Sequence, residues 1–573
     1  MPAMLKLASL IQNPGEPPTT SRYNDPAALK AMGYNGLVLY ATTALSGVSQ
    51  FNDINDRELR GWVQKATDQT QRDIAKAREA GLDTYLFYDV LALPSDTVER
   101  RPDAYCCTTG GHRVLCPASD PALEQSMEAL SAMLKSFPDA AGIVLRFGDT
   151  DARRLPYLVG NDIYTPHCAR CSELGRADRV VRVIDSAYET VVAKRNKRLI
   201  VRAWNIRPGG FHDSADLAQR IAQRLPGDAG DDRLVLSFKF THTDFWRYQR
   251  WNPSSRVCDG RPILYELQCQ REYEGKGAVP NWQVPLWRDG LTGGDEAEHM
   301  PKPAEADAEA GGSSARVAGL NGAREQVNFA GVMAWVRGGG WGGPFIQDET
   351  WIDANACAVP RLAEDPAVAV ETLALDWARD RIGLPDPIAQ RVAEVLMHSA
   401  EAARQAFYMA PFAATKGSPW HPAADWLSDD LLDADACWRM LQRIEIDQLD
   451  AAVEEKKAAA AQIAHDRNDL QRLAAELSER SKTLDKIVNT LTYTLSLYET
   501  LRDLVAGLAA YRRYQHDPKP EHADTAREKL ADAQSHFNHH TQRHAQLPGT
   551  ATPYREKGFW ELTQRVLDEV GSC

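Results

Sequence analysis

Runs of aliphatic residues alternate with amphipathic stretches over residues 30–345 of the chain. Each run holds seven to nine residues rich in Val, Ile and Leu, and apolar residues recur at helical spacing between the runs, as in 56–81 and 120–137. Strands buried on both faces have this composition, and crossover helices join such strands into parallel sheets. The strand candidates are 35–41, 83–90, 141–147, 198–206, 233–240, 262–270 and 329–336.

Seven or eight such units over about 300 residues favour a closed (β/α)8 barrel, the TIM-barrel form of the α/β class, over an open doubly wound sheet. Residues 291–326 are rich in Gly, Ala, Pro and acidic residues, which predicts a flexible surface loop. Strand signals vanish after residue 367. We therefore predict a barrel domain over 1–345 and an all-α C-terminal domain over 346–573.

Leucine and isoleucine recur at alternating spacings of three and four in the C-terminal region, which predicts a helical seam. The positions are Leu470, Leu473, Leu477, Leu484, Ile487 and Leu491, with Arg480 occupying one step of the register. A coiled-coil-like helical hairpin within one chain satisfies this pattern, and so does a coiled coil between two chains. A homodimer is therefore one of the expected states.

A second row in the C-terminal region consists of histidines. His536, His539, His540 and His544 share one helical face by their spacing. Imidazoles placed in this way can bind a metal, but we expect a solvated helix face.

The bulk composition is that of a soluble globular protein, with 43% hydrophobic residues, 25% charged residues and a mean hydropathy of −0.43. A net charge of −13 argues against nucleic acid as a partner. The sequence lacks an apolar run of about 18 residues, so we expect no membrane span. Ten scattered cysteines favour a reducing compartment, hence the cytoplasm, or the periplasm or exterior if a leader has been removed.

Candidate chemistry lies where the strands end, because a (β/α)8 barrel carries its catalytic groups at the carboxyl ends of its strands. The stretch "YELQCQREYEGKG" at 265–277 has a polar residue at every second position, alternating with apolar ones. These polar residues are Glu266, Gln268, Gln270 and Glu272. Other strands end in "RFGDTDAR" and "FKFTHTDFW". The candidate carboxylates are Asp149, Asp244, Glu266 and Glu272.

Cations and aromatic residues are interleaved with these carboxylates. They are Arg146, Arg202, Lys239, Trp204, Trp246 and Trp341. Glycoside hydrolysis requires a protonated carboxyl group and a carboxylate on opposite sides of the sugar, while cations bind acidic substituents. A single carboxylate at a strand end is more often a helix cap or an ion-pair partner, so the prediction of a glycosidase depends on the whole set.

Several separated stretches resemble glycoside hydrolase family 67, the α-glucuronidases. The spacing E-x-Q-x-x-x-E-Y from Glu266 to Tyr273 is similar to the family strand that carries a candidate general base. "KFTHTDF" resembles the family segment with a Lys five residues before an Asp, and "VRAW" resembles the strand whose Arg contacts the uronate. Residues 116–147, 355–366 and 371–383 are similar to further family segments in the same order.

The resemblance implies that Glu272 activates water, that Asp244 shares this task and that Arg202 binds the uronate. The family acid is a Glu after K-A-x-S, whereas "RFGDTDAR" places Thr150 there. A hydroxyl cannot supply a proton of suitable pKa, so the neighbouring Asp149 is the predicted acid. An inverting mechanism would separate Asp149 from the base by about 6.5–9.5 Å.

The predicted activity is hydrolysis of a uronic-acid-bearing oligosaccharide without a metal or organic cofactor. A uronide-specific polysaccharide lyase and a non-catalytic sugar-binding or assembly protein are the alternatives. Tyr157, Asn161 and His167 are candidates for the wall of the pocket. Cys168 and Cys171 form a CxxC pair without a second such pair nearby, so an ordinary loop is expected there.

Overall fold

The computed structural model divides the chain into two compact units. The first contains the described residues within Met1–Asp244, Trp251–Leu267 and Pro303–Arg337, and the second those within Phe245–Arg250, Gln268–Lys302 and Gly338–Cys573. The structure describes residues 3–11, 20–48, 56–109, 112–148, 150, 155–290, 319–338, 348–416, 426–428, 431–545 and 554–571.

Eight parallel strands form a closed barrel, in the order β1-β8-β7-β6-β5-β4-β3-β2, which confirms the predicted (β/α)8 architecture. Their bounds are β1 Leu5–Leu10, β2 Gly36–Leu39, β3 Asp83–Asp89, β4 Gly142–Arg146, β5 Arg198–Arg202, β6 Leu234–Lys239, β7 Pro262–Gln268 and β8 Asn328–Arg337. Only β1 was missing from the strand candidates, because Lys6 and Ser9 interrupt its short apolar run.

The barrel closes where β1 pairs with β8, with Leu5 opposite Gly331. Gly331 has φ +142°, and a Cβ atom at this position would lie 2.0 Å from the carbonyl oxygen of Leu5. Glycine therefore allows the two backbones to approach each other at the closing seam.

Helices follow the strands around the barrel unit. The helix Asp120–Ser136 shows how the sequence sets their bounds: Ser119 caps it by accepting a hydrogen bond from the Ala122 amide, and Leu123 and Met133 are among the buried residues of its inner face. The longer helices are Arg57–Glu79, Asp120–Ser136, Arg176–Tyr188, Ala215–Ala222 and Gly319–Gln326, and a short helix is formed by Pro26–Ala31. Shorter helical segments are Arg22–Asn24, Tyr40–Leu45, Ser95–Arg100, Pro102–Tyr105, Ala169–Ser172, Glu189–Ala193 and Ser254–Val257.

One local prediction for this unit needs correction, and two short strand pairs were not predicted. The predicted surface loop 291–326 includes the helix Gly319–Gln326, while residues 291–318 lie outside the described part of the chain. A hairpin of Cys106–Thr109 with His112–Leu115 and a strand pair of Leu93–Pro94 with Leu158–Val159 are additional. Strands of two to four residues are too short to leave a periodic signal.

The second unit is mainly helical, as predicted. Its helices are Val284–Asp289, Thr350–Glu364, Val370–Asp376, Asp386–Phe407, Ala410–Lys416, Ala434–Arg443, Leu449–Glu476, Lys482–His516, Pro520–His544 and Phe559–Gly571, with shorter turns at Gly275–Gly277, Trp377–Arg381 and Ile446–Gln448. It also holds a small sheet that the sequence did not predict, formed by Leu427–Ser428, Leu431–Asp433 and Arg555–Lys557. No helix among the described residues is long and apolar enough to cross a membrane.

The predicted leucine seam spans two helices. Leu449–Glu476 ends before Leu477, and Lys482–His516 begins after Ser481, whose side chain caps the Leu484 amide. The two helices pack against each other as a helical hairpin within one chain. This packing agrees with the intramolecular alternative, and the coiled coil between two chains stays a prediction.

The histidine row does not form a solvated face, so that expectation was wrong. His540 and His544 are buried, and their rings pack against Tyr493 at centroid distances of 4.9 and 5.1 Å. His536 instead hydrogen-bonds Asp503 at 2.8 Å, which raises the pKa of this imidazole. Burial lowers the pKa of His540 to about 3. Spacing alone could not reveal that the neighbouring helix covers this face.

Candidate active site

Charged side chains close neighbouring strands of the barrel at their carboxyl ends. Asp89, Arg146, Arg202 and Lys239 are the last residues of β3, β4, β5 and β6, and Glu266 lies near the end of β7. All five are buried. Charges inside a protein must be paired or hydrogen-bonded, so the partners of these groups define what the site can do.

Asp89 and Arg146 form a buried ion pair across β3 and β4. The Nε and Nη2 atoms of Arg146 donate to the two carboxylate oxygens at 2.7 and 3.1 Å, and Nη1 donates to the Tyr40 hydroxyl at 3.1 Å. The guanidinium also lies over the rings of Tyr40 and Phe87, 5.2 and 5.4 Å from their centroids. This bidentate geometry fixes the orientation of the Arg146 guanidinium, and the carboxylate compensates its charge.

Glu266 receives donors from three other strands. Nε of Arg202 lies 3.0 and 3.1 Å from its two oxygens, and the Ser237 hydroxyl donates to Oε1 at 2.9 Å. The indole of Trp335 donates to Oε2 at 3.0 Å, and the Arg202 guanidinium lies 5.2 Å from the Trp335 ring centroid. Glu266 therefore holds Arg202 in place inside the barrel.

Lys239 and Asp244 form an ion pair at the end of β6. The Lys239 ammonium also lies 3.6 Å from the ring centroid of Trp204, in cation–π contact. The Asp244 side chain is 18% exposed, whereas the Asp89 and Glu266 side chains are fully buried. Among these three carboxylates, Asp244 is the one that solvent or a ligand can reach.

His212 supports the segment between β6 and Asp244. Its Nε2 atom lies 3.1 and 3.3 Å from the carbonyl oxygens of Thr241 and Thr243, so this nitrogen carries the proton. Burial lowers the pKa of His212 well below its usual value, and the charge of Lys239 acts in the same direction. The neutral imidazole therefore serves as a hydrogen-bond donor to the backbone.

Glu272 belongs to the second unit, in the segment that follows β7. It is half-buried, and its Oε2 atom accepts a hydrogen bond from Gln268 Nε2 at 3.0 Å. The Glu272 amide donates to Gln268 Oε1 at 2.9 Å, so the two residues bind each other reciprocally. The neighbouring Tyr273 stacks on Trp246 with the ring centroids 3.6 Å apart.

Glu274, two residues further on, is a fully buried carboxylate that sequence reasoning missed. It accepts hydrogen bonds from Arg247, Arg271, Asn281 and Tyr408. Burial alone raises the pKa of Glu274, but the charges of Arg247 and Arg271 outweigh this and hold it at about 2. A carboxylate held so firmly ionised is suited to stabilising the second unit.

The remaining residues that the sequence proposed for the site either lie outside the described residues or bind loops of the first unit. Asp149 and Trp341 lie outside the described residues, so the predicted separation of acid and base stays a prediction. The hydroxyl of Tyr157 donates to the Ala44 carbonyl at 3.0 Å, and the Asn161 amide donates to the Val90 carbonyl at 2.7 Å. The Nε2 atom of His167 lies 3.2 Å from the Oδ2 atom of Asp162. These contacts fasten loops of the first unit.

Several residues of the buried layer were absent from the sequence-based site. Asp89 is the penultimate residue of the strand run at 83–90 and the last residue of β3, so the strand-end rule could have found it. Tyr40 follows β2 directly and could have been found in the same way. Ser237, Trp335 and His212 carry no local signal, because their roles arise from contacts with distant parts of the chain.

Comparison with known proteins identifies the fold only. No protein-family model and no curated protein matches the chain. A solved structure described as a GH138 enzyme targeting pectin rhamnogalacturonan II is similar with a TM-score of 0.55 and 10% identity, covering 99% of this chain and 67% of that one. CpGH84B has a TM-score of 0.36 and 8% identity, covering 99% of this chain and 76% of its own.

Proposed function

We propose that this chain is a glycoside hydrolase whose reaction takes place at the carboxyl ends of the barrel strands. The observation that carries the proposal is the solvent-accessible Asp244, paired with Lys239 beside Trp204. The fold likeness to the GH138 enzyme that targets pectin rhamnogalacturonan II agrees with this class of reaction. Strand-end carboxylates are where barrel enzymes carry their catalytic groups.

The proposed substrate is an oligosaccharide that bears a uronic acid. Three cations, Arg146, Arg202 and Lys239, end consecutive strands, which supports recognition of an acidic sugar. Arg146 and Arg202 are each bonded to a fully buried carboxylate, so we assign Lys239 the closest approach to the substrate carboxylate. An ammonium has three donors and can bind Asp244 and a uronate together.

In the proposed mechanism, Asp244 acts on the side of the attacking water. Its ion pair with Lys239 holds the Asp244 side chain in position, and a positioned carboxylate can act as a general base. Glu272 is proposed to share this role and Asp149 to donate the proton to the leaving oxygen, as the resemblance to family 67 implies. Protonation of the leaving group by one carboxyl and activation of water by another is the inverting route.

The test is turnover of aryl α-uronides and of pectin-derived oligosaccharides by the purified chain. Asp244→Asn keeps the shape of the side chain but removes the base, and we expect it to lower kcat about 10²–10⁴-fold. Asp228→Asn is the matched control, because its side chain is exposed in a surface loop, and it should keep wild-type turnover.

The product separates this proposal from its two alternatives. A lyase would release an unsaturated uronide that absorbs in the ultraviolet, and a sugar-binding protein would retain the glycan without cleaving it. Either result would overturn the hydrolase assignment. Near-normal turnover by both Glu272→Gln and Asp149→Asn would remove these two residues from the mechanism.

A further inference from the structure

Four cysteine side chains from two separate loops of the first unit meet at one point. The sulfur atoms of Cys107, Cys116, Cys168 and Cys171 all lie within 4.8 Å of one another. Cys107, Cys116 and Cys171 are buried, and Cys168 is partly so. All four are free thiols.

The distances between the sulfurs fit a tetrahedral metal site. Cys168 and Cys171 are 3.5 Å apart, Cys116 and Cys168 3.6 Å, and Cys107 and Cys171 3.9 Å. Four thiolates at the usual zinc–sulfur distance of about 2.3 Å have their sulfurs about 3.8 Å apart. A disulfide would bring two sulfurs to about 2.05 Å, so these spacings correspond to a shared ion rather than to cross-links.

Backbone amides support the sulfur of Cys171 from one side. The amides of His167 and Cys168 donate to its Sγ atom at 3.0 and 3.2 Å. Hydrogen-bond partners of this kind orient the side chains that bind a metal. The CxxC turn therefore presents two sulfurs in a fixed geometry.

The other two sulfurs come from the hairpin of Cys106–Thr109 with His112–Leu115. Cys107 lies in the first strand, opposite Val114, and Cys116 directly follows the second strand. Cys107 and Cys116 are nine positions apart, so they do not form a CxxC pair. This spacing explains why the sequence predicted an ordinary loop at Cys168 and Cys171.

The cluster joins the segment after β3 to the segment after β4. Arg170 links the same two segments by donating to the carbonyl oxygens of Asp103, Ala104 and Cys106 at 3.0 to 3.2 Å. Its positive charge would offset one of the two net negative charges that one zinc ion with four thiolates would carry. Few apolar side chains pack against the cysteines, so a bound ion would contribute much of the stability of this cluster.

We propose that Cys107, Cys116, Cys168 and Cys171 bind one Zn²⁺ ion in a closed structural site. A complete set of four thiolates leaves no position for water or substrate, which is typical of structural rather than catalytic zinc. Binding displaces the thiol protons to solvent and involves no change of oxidation state. The ion fixes the two loops that follow β3 and β4, independently of the reaction that the barrel carries out.

Metal analysis of the full chain, purified under reducing conditions without chelator, tests the proposal. We expect one zinc per chain, released when a mercurial titrates the thiols. Cys107→Ser and Cys168→Ser should lose most of this zinc. Cys106→Ser is the matched control, because Cys106 neighbours Cys107 in the same strand but stands outside the cluster, and it should keep the full amount.

Measurements on the wild-type chain test the proposal even if these variants fail to fold. Its cobalt-substituted form should show thiolate-to-cobalt charge transfer and the visible bands of a tetrahedral ion. A wild-type chain that stays free of zinc after zinc supplementation would overturn the proposal. The same holds if it contains iron instead, or if the four cysteines are recovered as disulfides.

Discussion

Removing the cation beside Glu266 is expected to destabilise the barrel strongly. Arg202 donates to both oxygens of this carboxylate, which is fully buried. Arg202→Met keeps most of the apolar volume but leaves an uncompensated charge beside Ser237 and Trp335. Breaking a buried ion pair in this way costs about 3–5 kcal/mol.

The measurement is urea unfolding followed by tryptophan fluorescence, since the chain contains 14 tryptophans and the indole of one of them, Trp335, donates to Glu266. The control is Arg78→Met, which breaks the exposed pair of Arg78 and Asp139 and should cost about 1 kcal/mol or less. Adding Glu266→Gln to Arg202→Met removes the buried charge and should recover part of the loss. The reasoning is refuted if Arg202→Met unfolds at the same urea concentration as the control, or if the double variant is the less stable one.

Three further predictions concern pH, backbone geometry and the proposed zinc. His540 has a pKa of about 3 in the folded chain, and an unfolded imidazole titrates near 6.5, so the unfolded state binds more protons between these values. The contribution of His540 to stability should therefore be complete above about pH 6.5 and fall by roughly 2–3 kcal/mol at about pH 4.5. Urea midpoints should depend less steeply on pH in His540→Gln than in wild type, whereas the exposed control His539→Gln should keep the wild-type dependence. Gly331→Ala should prevent closure of the barrel, whereas Gly61→Ala, with open space around it in a helix, should raise the unfolding free energy by about 0.5–1 kcal/mol. Zinc removal should lower the melting temperature of wild type and leave that of Cys107→Ser unchanged, measured by circular dichroism with and without chelator.

The sequence by itself determined the barrel and the places where its chemistry belongs. Seven of the eight strands were predicted, because a strand buried on both faces must be apolar along its length. The helices between them have an apolar stripe for the same reason. Arg146 and Lys239 could be placed next to strand ends because their position follows from where each apolar run stops, whereas the run at 198–206 continues four residues beyond Arg202, the last residue of β5.

Only the tertiary structure decided which of these groups meet. Arg146 pairs with Asp89, 57 positions earlier, and Cys107 lies beside Cys171, 64 positions later. Burial of the histidine face depended in the same way on a neighbouring helix. Hydrophobic periodicity records how one segment faces the core, but the partner of a buried charge or thiol is set by strand order and loop path, which no local pattern encodes.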